Sequence, residues 1–445
     1  MREMLEGGPL DYLTGDYLAE LTMLILGRDR RRDPALGYAR TFLRQLRDCL
    51  TIIRDRNVRI VTNAGGLNPA GLAAAIRELA AEQGVDIPVA HVEGDELLDR
   101  GFPGALTANA YLGGFGIAAA LREGAGIVVT GRVTDASLTL GPAIAEFGWT
   151  HDDLDELAAG VVAGHVLECG TQATGGNFAG FTTLDLSRPL GFPLAEISAD
   201  GTIVITKHPG TGGAVTVDTV TAQLVYEIGA PAYLNPDVTA RLDSLSLAEI
   251  GHSQIKISHV RGVAPPPSTK VALNRLAGHR NSVTFVLTGL DIPAKAAWIR
   301  DQLTRSLAGH APSSLTWSLS RTDHPDPATQ PEASALLHCH VRDPDPAMVG
   351  RAFTSAAVEL ALASIPGLYL TTPPADAVPY GVFEAAYVPQ STVPHTAVLP
   401  DGTRLDIPSP AHPPVSAGQE GEAPVSAGGE GCLGAGQGPG QRRRG

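Results

Sequence analysis

The segment from Gly164 to Phe178, GHVLECGTQATGGNF, places a carboxylate next to a thiol. Neighbours on a regular helix point about 100° apart, so Glu168 and Cys169 can face one ligand only if the helix ends beside them. Gly170 favours such an ending. A carboxylate in a partly desolvated loop has a raised pKa and can transfer a proton beside an acyl group. We therefore predict a role in proton transfer for Glu168.

Cys169 is a second candidate in this segment, as a nucleophile. The sequence names no base that would activate its thiol, and a buried cysteine is often only a small apolar core residue, so both interpretations stay open. Thr171 and Asn177 follow, with side chains that can bind a substrate through hydrogen bonds.

Arg132 and Asp135 lie in TGRVTDASLTLGP, directly after the apolar run GIVV. In open parallel sheets, ligands bind beyond the carboxyl ends of the strands. We expect Arg132 to bind substrate and Asp135 to act in catalysis. The alternative for Asp135 is the N-cap of the next helix, which requires a single side-chain oxygen.

Asn63, Gly65 and Gly66 lie in TNAGGLNP, between a predicted strand and a predicted helix. The two glycines let the backbone approach a ligand closely, and amides at a helix start favour an anion or a carbonyl oxygen. A substrate-binding role is therefore predicted for these three residues. The alternative is a tight turn in which Asn68 caps the helix ahead of Pro69.

The segment KHPGTGG sets Lys207 and His208 in front of three glycines, Gly210, Gly212 and Gly213. Backbone amides in a glycine-rich loop beside an ammonium group can hold a phosphate or a carboxylate. The lysine comes before the glycines, so this is not a Walker loop. The segment predicts an anion-binding loop, with a flexible connection as the alternative.

Two weaker motifs complete the candidates. GDYLAELTM is typical of a capped helix start, with Asp16 as N-cap and Leu18, Leu21 and Ile25 on its buried face; a functional role for Asp16 or Glu20 is the alternative. His338 and His340 share one face of a predicted strand, but no third ligand lies near them in sequence. A solvated strand face is expected there, and no metal site is predicted.

The elements that position these loops alternate along the first half of the chain. VRIVTNAG and GIVVTGR have the apolar, β-branched character of buried strands, and helical patterns follow both. A helix is also predicted from about Thr107 to Glu123. Strand and helix units in series predict an α/β fold with a mostly parallel sheet flanked by helices.

The rhythm changes further along. AEISADGTIVITKHPG has an Asp-Gly turn between two alternating runs, which predicts a hairpin. From about Leu245 the order β-α-β-β-α-β is that of a ferredoxin-like (split βαβ) α+β unit. We therefore predict an α/β domain at 1–244 that carries the polar loops, the ferredoxin-like unit at 245–408, and a disordered Gly/Pro-rich tail at 409–445.

Composition excludes several functional classes. The net charge of −14 opposes binding to nucleic acid, and no apolar run is long enough for a membrane span. The acidic start MREMLEGGPL has no apolar signal region, and the four cysteines form no paired motif, so a cytoplasmic protein is expected. The nucleotide and hydrolase motifs GxxxxGK[ST], GxGxxG and GxSxG do not occur between a predicted strand and helix.

Long segments of the chain resemble the acyclic terpene utilisation family, which is also known as a domain of unknown function. The similar segments are DYLTGDYLAELTM, DPALGYA, NAGGLNP, GRVTDASLTLGP, GHVLECGTQATGGNF, KHPGTGGAVTVDTVTAQLVYEIG, YLNPDVTA, PYGVF and VLPDGT. The resemblance covers roughly Leu10 to Thr403. Family members usually begin with a further strand and a loop of the type GxSGFxGD, which MREMLEGG does not contain, and many carry a small additional C-terminal domain.

The resemblance implies a role in the breakdown of branched acyclic terpenoids such as citronellol and geraniol, whose intermediates are acyl-CoA thioesters. It also implies that the four polar loops form one shared site. In that site we expect Lys207 and its glycines to hold an anionic group, Asn63 and the following amides to polarise the thioester carbonyl, and Glu168 and Asp135 to transfer protons. Hydration, carbon–carbon cleavage and hydrolysis all fit. No cofactor is expected beyond CoA as part of the substrate. The alternative is a non-catalytic acyl-CoA-binding or scaffold protein. The expected partner is a small acyl thioester, and a homo-oligomer is left open.

Overall fold

A computed structural model describes residues 1–410, and the predicted disordered tail lies outside these residues except for its first two. The helices are α1 (Arg2–Gly7), α2 (Glu20–Arg32), α3 (Arg40–Arg47), α4 (Leu50–Arg56), α5 (Pro69–Gln83), α6 (Phe115–Arg122), α7 (Ser137–Phe147), α8 (Leu154–Glu168), α9 (Val217–Leu224), α10 (Ile292–Ser306), α11 (Pro346–Val349) and α12 (Arg351–Ala363).

The strands are β1 (Tyr12–Gly15), β2 (Arg59–Thr62), β3 (Val89–Glu93), β4 (Thr107–Ala110), β5 (Ile127–Thr130), β6 (Pro193–Ile197), β7 (Ile203–Lys207), β8 (Ala232–Leu234), β9 (Thr239–Arg241), β10 (Ser246–Gly251), β11 (Gln254–Ser258), β12 (Arg261–Val263), β13 (Ser268–Thr288), β14 (Ser314–Ser320), β15 (Ser334–Asp343), β16 (Leu368–Leu370), β17 (Val378–Pro389), β18 (Thr396–Val398) and β19 (Arg404–Asp406).

The first sheet has the strand order β1-β2-β5-β3-β18-β19. Strands β1, β2, β5 and β3 run parallel to one another, and β18 and β19 add an antiparallel edge. The other sheets, β10-β11-β7-β6, β12-β9-β8 and the one built on β13, pair antiparallel. The mixed α/β class is confirmed, whereas a mostly parallel architecture for the whole chain is not.

Strand β5 forms because both of its faces are covered. Ile127 and Val129 pack into one apolar cluster with α5, while Val128 packs into a second cluster with α6 on the other face. All three side chains are fully buried. Burial of each such side chain contributes about 1.5–3 kcal/mol, which fixes this β-branched run in the middle of the sheet.

The parallel strands bring polar residues to one edge of the sheet. Gly15 of β1 pairs with Thr62 of β2, and Thr62 pairs with Val129 of β5. The residues that follow these strands, including Asp16 and Asn63, therefore lie side by side beyond the carboxyl ends, where a ligand site is expected.

The helix predicted from Thr107 to Glu123 is wrong in its first half. Residues 107–110 form β4, which pairs antiparallel with β13, and α6 begins only at Phe115. A tertiary pairing thus overrides the local helical pattern. The start of α2 also differs, because Ala19 is its N-cap, and Leu21 and Ile25 are about half exposed while Leu18 is buried.

The hairpin predicted around the Asp-Gly turn is confirmed as β6 and β7. Further along, the elements β13, α10, β14, β15, α12 and β16 follow in the predicted order, and their sheet has the strand order β14-β15-β13-β16. The ferredoxin-like assignment and the domain boundaries remain predictions. Strands on either side of residue 244 share sheets, since β11 pairs with β7 and β13 pairs with β4.

Strand β13 is 21 residues long and serves two sets of neighbours. Its first half pairs with β4 and β17, and its second half pairs with β15 and β16. The pairing with β17 shifts register between Leu276 and Gly278, where Gly278 has a φ of 134°.

Within residues 1–410, no helix is long and apolar enough to span a membrane.

Candidate functional site

A cavity of about 260 Å³ lies beyond the carboxyl end of β1. Much of its lining is apolar and includes Leu13, Phe42, Ile60, Leu138, Leu167 and Phe192. Three carboxylates, Asp16, Asp135 and Glu168, line the same space. Carboxylates among apolar neighbours are poorly solvated, which favours their protonated forms.

Asp16 is the first carboxylate of the cavity and follows β1 directly. Its Oδ1 accepts hydrogen bonds from the Asn63 side-chain amide at 2.6 Å and from the Leu18 backbone amide at 3.2 Å. Burial raises the pKa of Asp16, and the bond from Asn63 and the charge of Arg132 oppose that rise. The alternative interpretation, a functional role for Asp16, is favoured by this position, and Asp16 does not cap α2.

Asn63 positions Asp16. The Asn63 side chain is fully buried, and its Oδ1 accepts a hydrogen bond from the Tyr17 amide at 2.7 Å while its Nδ2 donates to Asp16. Both polar ends of the Asn63 side chain thus form hydrogen bonds within the protein. Asp16 lines the cavity, whereas Asn63 does not. The predicted direct contact of Asn63 with a substrate carbonyl becomes an indirect role through the carboxylate.

Gly65 and Gly66 form a tight turn outside the cavity lining. The Gly66 amide donates to the Asn63 carbonyl at 3.1 Å with a φ of 54°, and a Cβ on Gly65 would lie 2.5 Å from the Thr130 carbonyl oxygen. The glycines therefore permit close packing of the β2 loop against β5, which corrects the prediction that their amides polarise a ligand. Asn68 caps α5 as expected, accepting from the Gly71 amide at 2.9 Å.

Arg132 is the buried cation next to the carboxylates, and it is only 4% exposed. Its guanidinium donates to the Leu18 carbonyl at 2.8 Å and to the Tyr111 hydroxyl at 3.0 Å, and it lies 4.3 Å from the centre of the Tyr111 ring. Its backbone amide donates to Asp95 at 2.8 Å. These bonds occupy the group that we predicted to bind substrate, so Arg132 acts by organising the site.

Asp135 contacts Arg132 and faces the cavity. Its Oδ1 lies 3.3 Å from the Arg132 guanidinium, and its side chain is 30% exposed. Helix α7 begins at Ser137 with Ala136 as its N-cap and no side-chain cap, so the capping alternative for Asp135 is not what the structure has. Burial raises the pKa of Asp135 to about 8; the Arg132 charge opposes the rise, and the charges of Asp16 and Glu168 add to it.

Glu168 is the last residue of α8, and its side chain is 8% exposed. Its Oε1 lies 2.8 Å from Nδ1 of His165, one turn earlier in the helix. Burial raises the pKa of Glu168, and the contact with His165 partly offsets this. Within residues 1–410, Oε2 of Glu168 and Nε2 of His165 are buried without a hydrogen-bond partner.

Helix α8 ends where the sequence predicts, and this separates the two neighbours. Gly170 has a φ of 55° and begins a short 3₁₀ turn. Glu168 lines the cavity, whereas Cys169 lies outside its lining. Burial, with a contribution from the Glu168 charge, raises the pKa of Cys169 to about 11. A thiol in that state is a poor nucleophile at neutral pH, so the structure gives the predicted nucleophilic role no support.

Thr171 and Asn177 stabilise the loop after α8. The Thr171 carbonyl accepts from the Gly176 amide at 2.8 Å, and the Asn177 side chain donates to Gln172 at 2.9 Å. Asn177 has a φ of 55°. The Asn177 side chain is thus used inside the loop, whereas the bond of Thr171 involves its backbone only.

The loop around Lys207 also lies outside the cavity lining. The Lys207 ammonium donates to the carbonyl oxygen of Thr211 at 2.8 Å, and His208 is buried with its Nε2 3.2 Å from the Met4 carbonyl. Met4 lines the cavity, so the loop supports α1 behind one side of it. The ammonium thus donates within its own loop, and the anion-binding role of Lys207 and its glycines stays a prediction.

The three glycines of this loop have conformational roles. Gly210 and Gly213 have φ values of 80° and 69°. A Cβ on Gly212 would lie 2.2 Å from the Arg188 carbonyl, and one on Gly213 would lie 2.3 Å from the Thr174 carbonyl. The glycines therefore let the loop pack against the segment that follows Glu168.

His338 and His340 lie on one face of β15, with ring centres 6.4 Å apart, and His338 contacts the Thr284 hydroxyl at 3.0 Å. Within the described part of the chain there is no group of three His, Cys, Asp or Glu side chains that could hold a metal ion.

Gly164 sets the distance between the helices that carry the two central carboxylates. A Cβ on this residue would lie 2.5 Å from the carbonyl oxygen of Ala136, which follows Asp135 at the start of α7. Gly164→Ala is therefore expected to separate α8 from α7, lowering the free energy of unfolding by about 1–3 kcal/mol and displacing Glu168. Urea unfolding checks this against Gly309→Ala, at a position with open space around it. Equal unfolding midpoints for the two variants would contradict the tight contact.

Sequence reasoning missed His165 as the partner of Glu168. The spacing i, i+3 on a predicted helix was the available signal, because it places the two side chains on one face. The sequence predicts Asp135 and Glu168 in one site, and the structure brings both to one cavity. Asn63 contributes indirectly, through its hydrogen bond to Asp16. Lys207 does not line the cavity.

Comparison with known proteins gives one match. The model of the family described as "Acyclic terpene utilisation family protein AtuA" matches residues 1–399. No curated protein and no solved structure matches the chain. The matched range contains every residue of the carboxylate cavity, and on this match the chain belongs to the acyclic terpene utilisation family.

Proposed function

We propose that the protein is an enzyme of acyclic terpenoid or branched acyl-CoA catabolism that acts on a thioester substrate. The observation that carries the proposal is that Asp16, Asp135 and Glu168 line one largely apolar cavity. Catalytic acids and bases need pKa values near the working pH, and burial in such a cavity supplies that shift. Family membership supports the role in terpene utilisation.

The volume of the cavity suits the acyl part of a thioester substrate and is too small for the CoA part. Sites for drug-sized ligands usually have about 300–1,000 Å³, and this cavity has about 260 Å³. It can therefore receive an aliphatic acyl chain, while the much larger CoA stays outside. The apolar lining suits a branched hydrocarbon, and the carboxylates then lie near the reacting carbons.

Asp135 and Glu168 divide the acid and base roles. With a pKa of about 8, Asp135 holds its proton at neutral pH and can donate it. Glu168 accepts a proton, and His165 beside it stabilises its ionised form. In hydration of an α,β-unsaturated thioester, Glu168 takes a proton from water as the water oxygen bonds to the β-carbon, and Asp135 gives its proton to the α-carbon. Cleavage of a carbon–carbon bond and hydrolysis need the same pair of proton transfers.

Glu168→Gln tests the proposal. The amide cannot accept a proton, so turnover of branched acyl-CoA thioesters is expected to fall by about 10²- to 10⁴-fold, measured as product by mass spectrometry. Glu78→Gln, on the exposed face of α5, is the matched control and should keep the parent rate. Parent-like turnover by Glu168→Gln would refute the assignment. Tight binding of CoA thioesters by the parent protein, with no turnover of any of them, would instead favour a non-catalytic binding protein.

A further inference from the structure

The ammonium group of Lys270 has neither a hydrogen-bond partner nor an ion-pair partner within residues 1–410. The chain contains four lysines, Lys207, Lys256, Lys270 and Lys295. Lys207 donates to Thr211 at 2.8 Å, and Lys295 donates to the Thr288 carbonyl at 2.6 Å. Within residues 1–410, Lys270 makes no side-chain hydrogen bond and no ion pair, although its side chain is half-buried.

Two aromatic rings hold the Lys270 side chain in place. Its Nζ lies 5.0 Å from the ring centre of Tyr111 and 5.1 Å from that of Phe383. Both distances are within the range in which a ring face attracts a cation. The Tyr111 amide also donates to the Lys270 carbonyl at 2.9 Å, which fixes the backbone. A cation held in this way is oriented before any ligand arrives.

Tyr111 connects Lys270 to the carboxylate site. The Tyr111 hydroxyl accepts from Arg132, which contacts Asp135, and donates to Glu20 at 3.4 Å. Burial lowers the pKa of Lys270, and the charges of Glu20 and Asp135 act in the opposite direction. Lys270 and Arg132 thus contact the same aromatic ring, and Arg132 in turn contacts Asp135.

Arg132 and Lys270 both contact the Tyr111 ring, and in the part of the chain at 1–410 only Lys270 of these two has a charged group without a hydrogen-bond partner. Arg132 is buried and already donates to Leu18 and Tyr111. Asp135, with its pKa of about 8, is largely uncharged at neutral pH, which reduces the repulsion that an incoming anion would meet.

We propose that Lys270, which contacts the Tyr111 ring outside the cavity lining, binds an anionic oxygen group of the ligand, a carboxylate or a phosphate. The ammonium donates to the anionic oxygens and so fixes one end of the ligand, while the reacting part extends toward Asp135. The inference rests on the proposed function only for that second placement, because anion binding at Lys270 does not depend on turnover.

Competitive labelling of the lysines tests the proposal on the complete protein. A short pulse with an amine-acetylating reagent, followed by mass mapping, gives the labelling rate of each lysine in hexanoate, in inorganic phosphate and in chloride at equal ionic strength. An anion at about four times its dissociation constant should slow labelling of Lys270 about fivefold, and Lys256 on β11 should not change. Slowing by hexanoate alone identifies a carboxylate ligand, and slowing by phosphate alone identifies a phosphate.

Substitution gives the second measurement. Lys270→Met should weaken binding of the effective anion about 10- to 100-fold in calorimetry, and Lys270→Arg should restore part of it. The proposal is overturned if Lys270 labels equally fast in all three salts, or if Lys256 slows by the same factor. If Lys270→Met does not fold, labelling of the parent decides. Loss of turnover in Glu168→Gln is a separate result, so either proposal can fail alone.

Discussion

Asp135→Asn is expected to lower kcat/KM for an acyl thioester by about 10²- to 10⁴-fold. The amide keeps the shape of the side chain but can neither hold nor release a proton at the cavity. Steady-state kinetics on purified protein measure the loss. Asp86→Asn, in the exposed loop between α5 and β3, is the control and should retain parent kinetics.

The same variant should be more stable than the parent at alkaline pH. The pKa of Asp135 is raised to about 8 in the folded protein, so the folded state favours the protonated carboxyl. Ionisation therefore costs folded-state stability, and this cost grows as pH rises from about 4 through about 8. Asparagine does not ionise. Urea unfolding at pH 5 and pH 9 should show Asp135→Asn gaining more on the parent at pH 9 than at pH 5.

A stability gain at high pH together with lost turnover would mark Asp135 as a residue that is kept for chemistry at a cost in stability. Unchanged kinetics, or a variant that unfolds more easily at pH 9 than the parent, would contradict the assignment of Asp135 as the proton donor of the cavity.

Arg132→Met has the largest expected effect on stability. The substitution leaves the Leu18 carbonyl and the Tyr111 hydroxyl without their donor and removes the cation 3.3 Å from Asp135. A buried acceptor left without its donor costs about 1–3 kcal/mol, and here two acceptors, on Leu18 and Tyr111, lose theirs. Chemical denaturation should show a lower free energy of unfolding by this amount.

Arg305→Met is the matched comparison, because Arg305 is 73% exposed and pairs with Asp301 on the surface of α10. Exposed pairs contribute about 0–1 kcal/mol, so this variant should unfold close to the parent. Equal losses in Arg132→Met and Arg305→Met would show that the buried guanidinium does not organise the site.

The local features of the site could be predicted because short-range physics decides them. The strand endings before Asn63 and Arg132, the cap formed by Asn68 and the helix end at Gly170 all follow from the types of nearby residues. The carboxyl ends of parallel strands lie on one edge, which predicts that the loops of Asn63 and Asp135 are neighbours. Glu168 ends a helix, and that rule does not place it.

The remaining features depend on contacts between distant parts of the chain. The availability of Arg132, for example, depends on Leu18, which lies more than 100 residues earlier in the chain, and on Tyr111. The mistaken helix at 107–110 has the same origin, because β13, more than 150 residues further on, supplies its hydrogen bonds. Propensity and periodicity contain no information about such partners.

Strand β13 has a consequence for how the molecule folds and unfolds. Because it supplies backbone partners to β4 from the first part of the chain and to β15, β16 and β17 from the last, neither part can be cut away without exposing unpaired strand edges. The residues of β13 that pair with β4 are synthesised long after β4 itself. The hydrogen bonds between β4 and β13 must therefore wait until more than half of the chain has been translated, and a protease that opens β13 would unpair strands of both parts together.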